Sequence, residues 1–160
     1  MSIESSLVWV EKSFLCFGGK PGRGYSLDKD LVALSTMKIG AILSLVEIES
    51  NLSVYRESGF DAEHVPVPDL QAPQPDQFEK CIDFLHEQHR KATAVYVHCL
   101  AGYGRSATVA AAWLIYRGEP ADDAVRTIRR LKAGAIESEA QYNALLEYAA
   151  RQQLRGKMDA

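Results

Sequence analysis

The segment from Ala94 to Ile115 constrains this chain more than any other. Its apolar run, Ala94-Val95-Tyr96-Val97, reads as a buried strand. Next comes His98-Cys99-Leu100-Ala101-Gly102-Tyr103-Gly104-Arg105-Ser106. The residues from Ala107 to Ile115 then read as a buried helix. Cys99 therefore belongs at the carboxyl end of a strand, in a loop that wraps onto a helix N-terminus. Open α/β sheets bind ligands at that place, and helix N-terminal N–H groups face anions there.

Five residues between Cys99 and Arg105 are enough to turn the backbone through a tight ring. Gly102 and Gly104 can take the positive φ values that such a ring demands. The N–H groups from Leu100 through Ala101, Gly102, Tyr103 and Gly104 to Arg105 would then point inward as an anion nest. Arg105 adds a planar fork that grips two oxygens at once. The same donors favour thiolate over thiol at Cys99. A buried, inert cysteine at a strand end would account for Cys99 alone. It would not account for two glycines, an arginine and a hydroxyl at these offsets.

Strands and helices alternate along the rest of the chain. Leu7 to Phe17 reads as one or two short strands, Leu27 to Met37 as a helix and Ala41 to Val46 as a buried strand. Asn51 to Ser58 reads as a short helix stopped by Gly59, and Glu63 to Val67 as a strand. Pro75 to Arg90 reads as a helix whose Phe78, Cys81, Ile82 and Leu85 share one face, so Cys81 is a core residue. Three helices follow the cysteine loop, the first of them apolar nearly all round. The second has Pro120 in its first turn, Asp122 and Asp123 near its start, and Arg129, Arg130 and Lys132 near its end. That arrangement suits the helix dipole, and the basic cluster reads as a solvated helix end. The third carries Tyr142, Leu145, Leu146 and Ala149 at helical spacing, with a polar, frayed tail from Arg151. The expected architecture is α/β: one domain over 1–152, a mostly parallel central sheet with helices on both faces, and a polar tail over 153–160.

At 160 residues, 47% of them hydrophobic, the chain can bury one substantial core. The net charge of −3 offers no global basic field, so nucleic acid is not an expected partner. Three widely spaced cysteines, Cys16, Cys81 and Cys99, argue against a disulfide framework and for a reducing compartment. No signal-peptide pattern and no membrane-length apolar stretch are evident. A cytoplasmic location, no membrane partner and a monomer are the matching expectations. His64, His86 and His89 form no metal-ligand pattern, and no metal or cofactor is expected.

The run His98-Cys99-x-x-Gly102-x-x-Arg105-Ser106 resembles the signature loop of the cysteine-dependent protein tyrosine phosphatase superfamily. From about Trp9 to Tyr148 the chain resembles small atypical dual-specificity phosphatases and compact prokaryotic tyrosine phosphatases. The resemblance implies hydrolysis of phosphotyrosine, with phosphoserine and phosphothreonine as further substrates, through a phosphocysteine. Phosphorylated proteins are then the expected partners. The alternatives are phosphatases of phosphoinositides or RNA ends, and a phospho-residue binding module without turnover.

The resemblance also assigns roles. Asp69, in Val65-Pro66-Val67-Pro68-Asp69, matches the family's general acid in spacing and in its neighbouring prolines. Asp61 and Asp76 fit less well. Ser106 matches the hydroxyl that hydrogen-bonds the cysteine and eases its departure. His98 matches a histidine that sits before the nucleophile. On an alternating strand it faces away from Cys99, as a buried orienter of the loop. Ser138-x-x-Gln141 is a capping box, and in some relatives a similar glutamine helps place the hydrolytic water. Ala107 departs from the family's usual glycine, and its methyl group needs room against the sheet.

Overall fold

The computed structural model describes residues 2–159. Its sheet has five strands: β1 (Val8–Glu11), β2 (Leu15–Gly18), β3 (Ile39–Ser44), β4 (Asp61–His64) and β5 (Ala94–His98). They lie in the order β1-β2-β5-β3-β4. β1 pairs antiparallel with β2, and every other pairing is parallel. The segment from Leu7 to Phe17 is therefore a hairpin of two strands.

Period-two alternation on the strands divides the interior into two cores. Leu15, Phe17, Ala41, Leu43, Val95 and Val97 face one side. Cys16, Ile42, Ala94 and Tyr96 face the other. The first side is covered by α4 (Pro75–Arg90), α5 (Arg105–Tyr116), α6 (Ala121–Leu131) and α7 (Glu139–Met158). The second is covered by α1 (Ile3–Ser6), α2 (Leu27–Thr36) and α3 (Leu52–Glu57). Cys81 is fully buried in the first core, as its helical spacing implied. α5 packs against α4, α6 and α7 and is buried on nearly all sides, and Ala107 is fully buried there.

This routing places the site. The chain runs from β2 through α2 to β3, then through α3 to the edge strand β4. It returns through α4 on the opposite face and inserts β5 between β2 and β3. The winding thus reverses at β5, and its carboxyl end opens onto a crevice. Gly18 of β2 and Ser44 of β3 both pair with His98 there.

Five details differ from the sequence reading. β3 spans Ile39–Ser44 rather than residues 41–46. β4 spans Asp61–His64 rather than residues 63–67. Pro66 and Pro68 have no N–H to extend the ladder, although Val65 and Val67 still donate to the Ser44 and Leu45 carbonyls at 2.9 and 3.1 Å. Pro120 is the N-cap residue of α6 and lies just outside its first turn. The short helix α1 falls in a segment with no expected element. The tail expected to fray from Arg151 is helical through Met158. Ala149 to Arg155 are strong helix formers, and Arg155 ion-pairs with Glu79 of α4.

Candidate active site

β5 ends at His98, and the loop from Cys99 to Gly104 closes onto the N-terminus of α5. Three of its carbonyls are tied outward. The Leu100 carbonyl accepts from the Lys20 N–H at 3.0 Å and from Arg23 Nη1 at 3.3 Å. The Tyr103 carbonyl accepts from the Ile136 N–H at 2.8 Å, and the Gly104 carbonyl from the Thr108 N–H at 2.9 Å. Among the described residues, the N–H groups of Leu100, Ala101, Tyr103 and Gly104 have no protein acceptor, and Gly102 donates to Cys99 Sγ at 3.3 Å. A ring with carbonyls bonded outward and free N–H groups is an anion nest.

Gly102 has φ +83°, as the tight ring demands. A Cβ there would also lie 2.4 Å from the Gly18 carbonyl carbon. Gly104 corrects the expectation of positive φ, because its φ is −100°. Glycine serves there for space: a Cβ would lie 2.6 Å from Glu137 Oε1 and 2.8 Å from Gln141 Nε2.

Cys99 is buried at the bottom of the ring, with the Ser106 hydroxyl 3.3 Å from its sulfur. Arg105 is buried and donates from Nη1 to the Val67 carbonyl at 2.9 Å. Its Nη2 lies 3.4 Å from Asp69 Oδ1. The Asp69 side chain remains largely exposed on its proline-stiffened loop, where its N–H donates to Glu47 Oε1 at 3.0 Å. Arg105 and Asp69, far apart in sequence, are thus joined through one guanidinium. Asp61 and Asp76 lie elsewhere, in β4 and in the first turn of α4.

Gln141 is fully buried and completes the capping box with Ser138. It does more than cap. Its Nε2 donates to the Gln71 carbonyl at 3.2 Å, and Ser138 Oγ donates to the Leu70 carbonyl at 2.6 Å. The start of α7 therefore holds the Asp69 loop, with Gln141 against Gly104.

His98 is fully buried, with Nδ1 3.1 Å from the Cys99 carbonyl. Its Nε2 lies 3.3 Å from the Tyr55 hydroxyl and 3.4 Å from Glu49 Oε2. The Glu49 side chain is fully buried, and it also accepts from Ser44 Oγ at 2.6 Å and from the Asn51 N–H at 2.9 Å. Burial raises the Glu49 carboxyl, but the hydrogen bonds from His98, Ser44 and Asn51 outweigh it and hold its pKa at about 2.

Sequence reasoning missed Glu49 and Tyr55, which carry no motif around them. It also misplaced the basic end of α6. Arg129 donates to the Ala135 and Ile136 carbonyls, both at 3.1 Å. Lys132 turns toward the cysteine loop, with Nζ 4.2 Å from the Tyr103 ring centroid. Burial lowers the Lys132 pKa, and the nearby Cys99 opposes that shift. The cluster is no simple solvated helix end, because the loop after α6 folds it back onto the site. Among the described residues, no helix is long and apolar enough to cross a membrane.

A central parallel sheet, a cysteine in an anion nest and an arginine at the helix start place the chain in the cysteine-based tyrosine and dual-specificity phosphatase superfamily. A family model described as a polymorphic toxin system DSP-PTPase phosphatase matches residues 16–119, and the chain belongs to that family. Cyclin-dependent kinase inhibitor 3 of Sus scrofa is 32% identical over 114 residues, covering 66% of this chain and 51% of that protein. Phosphatidylglycerophosphate phosphatase PTPMT2 of Arabidopsis thaliana is 31% identical over 121 residues, covering 71% of this chain and 50% of that one. The chain thus spans about half the length of these relatives. The structure of Tk-PTP in its active form superposes with a TM-score of 0.82 at 29% identity, covering 91% of this chain and 97% of that one.

Proposed function

We propose that this chain hydrolyses phosphomonoesters through a phosphocysteine, with Cys99 as nucleophile and Asp69 as general acid. The single observation that carries the reading is the loop itself: carbonyls bonded outward, free N–H groups, and Cys99 Sγ at its base. In the first step the Cys99 thiolate attacks phosphorus in line, and the bond from phosphorus to the leaving oxygen breaks. Asp69 gives its proton to that oxygen. The nest and Arg105 hold the three equatorial oxygens as charge redistributes. In the second step water attacks the phosphocysteine and loses a proton to Asp69. The S–P bond breaks, and the Ser106 hydroxyl, 3.3 Å from Sγ, donates to the departing thiolate. Gln141, packed between Gly104 and the Asp69 loop, is suited to hold the attacking water. His98 positions Cys99 through its carbonyl.

For the substrate, phosphotyrosine on proteins is the first reading, with phosphoserine and phosphothreonine beside it. The likeness to Tk-PTP supports phosphotyrosine, and the short loops, which build no deep cleft, leave room for phosphoserine and phosphothreonine. A non-protein phosphomonoester is the second reading. Two observations favour it: the likeness to a phosphatidylglycerophosphate phosphatase, and a basic cavity beside the loop.

Hydrolysis of an aryl phosphate in excess chelator, by the native chain and by Cys99→Ser, tests the chemistry. Native turnover that falls at least about 10³-fold in Cys99→Ser is the expected result. Equal turnover in both proteins would remove Cys99 as nucleophile. No turnover in either would favour a phospho-residue binding module.

A further inference from the structure

Beside the outer wall of the cysteine loop lies a cavity of about 610 Å³. Ala101 and Tyr103 of the loop form one wall, and Ile3 of α1 forms another. Three cations from two separate parts of the chain line it: Lys20 and Arg23 after β2, and Lys132 after α6. We infer that this cavity is a second anion subsite, which takes a phosphate group of a small, non-protein phosphomonoester while the scissile phosphate occupies the nest. The inference rests on the phosphatase reading and deepens its second, non-protein substrate reading.

The cations differ in how far they are engaged. Lys20 lies 3.6 Å from Glu49, so much of its charge is answered within the protein. Arg23 spends one N–H on the Leu100 carbonyl, which fixes its side chain against the loop and leaves its other donors free. Lys132 has no carboxylate within ion-pair distance among the described residues, and its ammonium rests on the Tyr103 and Phe17 rings. A half-buried ammonium facing only rings and a cavity is an incomplete ion pair. The one acid in the lining, Asp30, is committed to the Gly22 N–H at 2.8 Å.

The shape of the site selects the class of ligand. Acidic residues along a bound peptide would call for cations spread along an open groove. Here Arg23 and Lys132 converge on one volume of the size that encloses small ligands. Ala101 and Tyr103 belong both to that lining and to the cysteine loop, so the cavity adjoins the nest and one molecule with two anionic groups can reach both. A phosphodiester or second phosphate a few bonds from the scissile ester meets that requirement.

Matched synthetic probes test this. One is a short alkanediol carrying a phosphomonoester at one end and a methyl phosphodiester at the other. Its partner replaces the diester with a neutral methyl ether. An acidic phosphotyrosine peptide and an aryl phosphate complete the set. The native chain should prefer the bis-anion over the ether by about 10-fold or more in kcat/KM, mainly through KM. Lys132→Gln and Arg23→Gln should each cut that preference about 5-fold, and Lys132→Arg should retain it. Exposed Arg23 lies on a loop, so its variant carries the test if Lys132→Gln does not fold.

Equal use of both diol probes alongside aryl phosphate turnover would sink the subsite and leave the phosphatase reading standing. A peptide preferred over both probes, and sensitive to the same variants, would overturn the non-protein assignment. Absence of aryl phosphate turnover would instead sink the phosphatase reading on which the subsite rests.

Discussion

Replacing Glu49 by glutamine removes one charge from the buried network behind Cys99 and leaves the shape nearly unchanged. In the native chain the carboxylate faces Ser44 Oγ at 2.6 Å, the Asn51 N–H at 2.9 Å, His98 Nε2 at 3.4 Å and Lys20 Nζ at 3.6 Å. Glutamine can still accept from Asn51, but its NH₂ must face Ser44 and His98. Those two contacts change from charge-assisted to neutral, or from acceptor to donor. A hydrogen bond to a charged group contributes about 1.5–3 kcal/mol and a neutral one about 1. The net loss is therefore about 2 kcal/mol, which lowers Tm by about 4–8 °C for a domain of this size.

The effect has a defined pH dependence. The folded-state pKa of Glu49 is depressed to about 2, below its ordinary value near 4.5. The stabilisation is thus fully present above about pH 4.5 and is lost as pH falls toward 2. Thermal unfolding of both proteins from pH 7 to pH 2.5 reads the difference. We expect a Tm gap that is constant down to about pH 4.5 and narrows below it. A gap that stays constant to pH 2.5, or no gap at pH 7, would refute the assignment of Glu49 as the charged centre of this network. Because His98 holds the Cys99 carbonyl, the variant should also lose kcat more than KM on an aryl phosphate.

Two further outcomes are expected. Asp69→Asn should lower kcat about 10²–10⁴-fold on an alkyl phosphate, and less on an aryl phosphate, whose leaving group needs no proton and where only the loss of the base in the second step remains. Gly102→Ala forces a left-handed L-residue, costing about 1–2 kcal/mol, and adds a collision with Gly18. Its Tm should drop by about 4 °C or more, with inhibition by vanadate weakened in parallel. An unchanged vanadate response would separate the ring from oxyanion binding.

The fold was largely legible because each strand and helix carries its own period. Pro75–Arg90 shows its apolar face and first-turn proline in sequence, and it forms α4 over those residues. The strand expected over 63–67 slipped toward the N-terminus because apolarity marked Val65 and Val67, while backbone pairing stops where proline removes its donors. In the site, the line from Cys99 to Ser106 was legible because chain connectivity alone brings those residues together. Asp69 needed the family resemblance, since no local pattern reports the Val67 carbonyl that anchors Arg105 beside it. Glu49 and Lys132 were illegible for the same reason. An acid after a strand and a lysine after a helix both look solvated until the tertiary fold buries them.

Arg105 shows why the site depends on that non-local geometry. One edge of its guanidinium bonds the Val67 carbonyl, and another lies against Asp69. The group proposed to grip phosphate therefore also fixes the loop that carries the proposed acid. From the other side, Ser138 and Gln141 hold Leu70 and Gln71, while Gln141 packs on Gly104. The acid loop is thus clamped at residues before and after Asp69, by the first residue of α5 and by the start of α7. A lysine at position 105 could keep the charge, but it has no rigid fork to bond Val67 while facing both the phosphate and Asp69. Its defect should therefore appear in proton transfer as well as in binding.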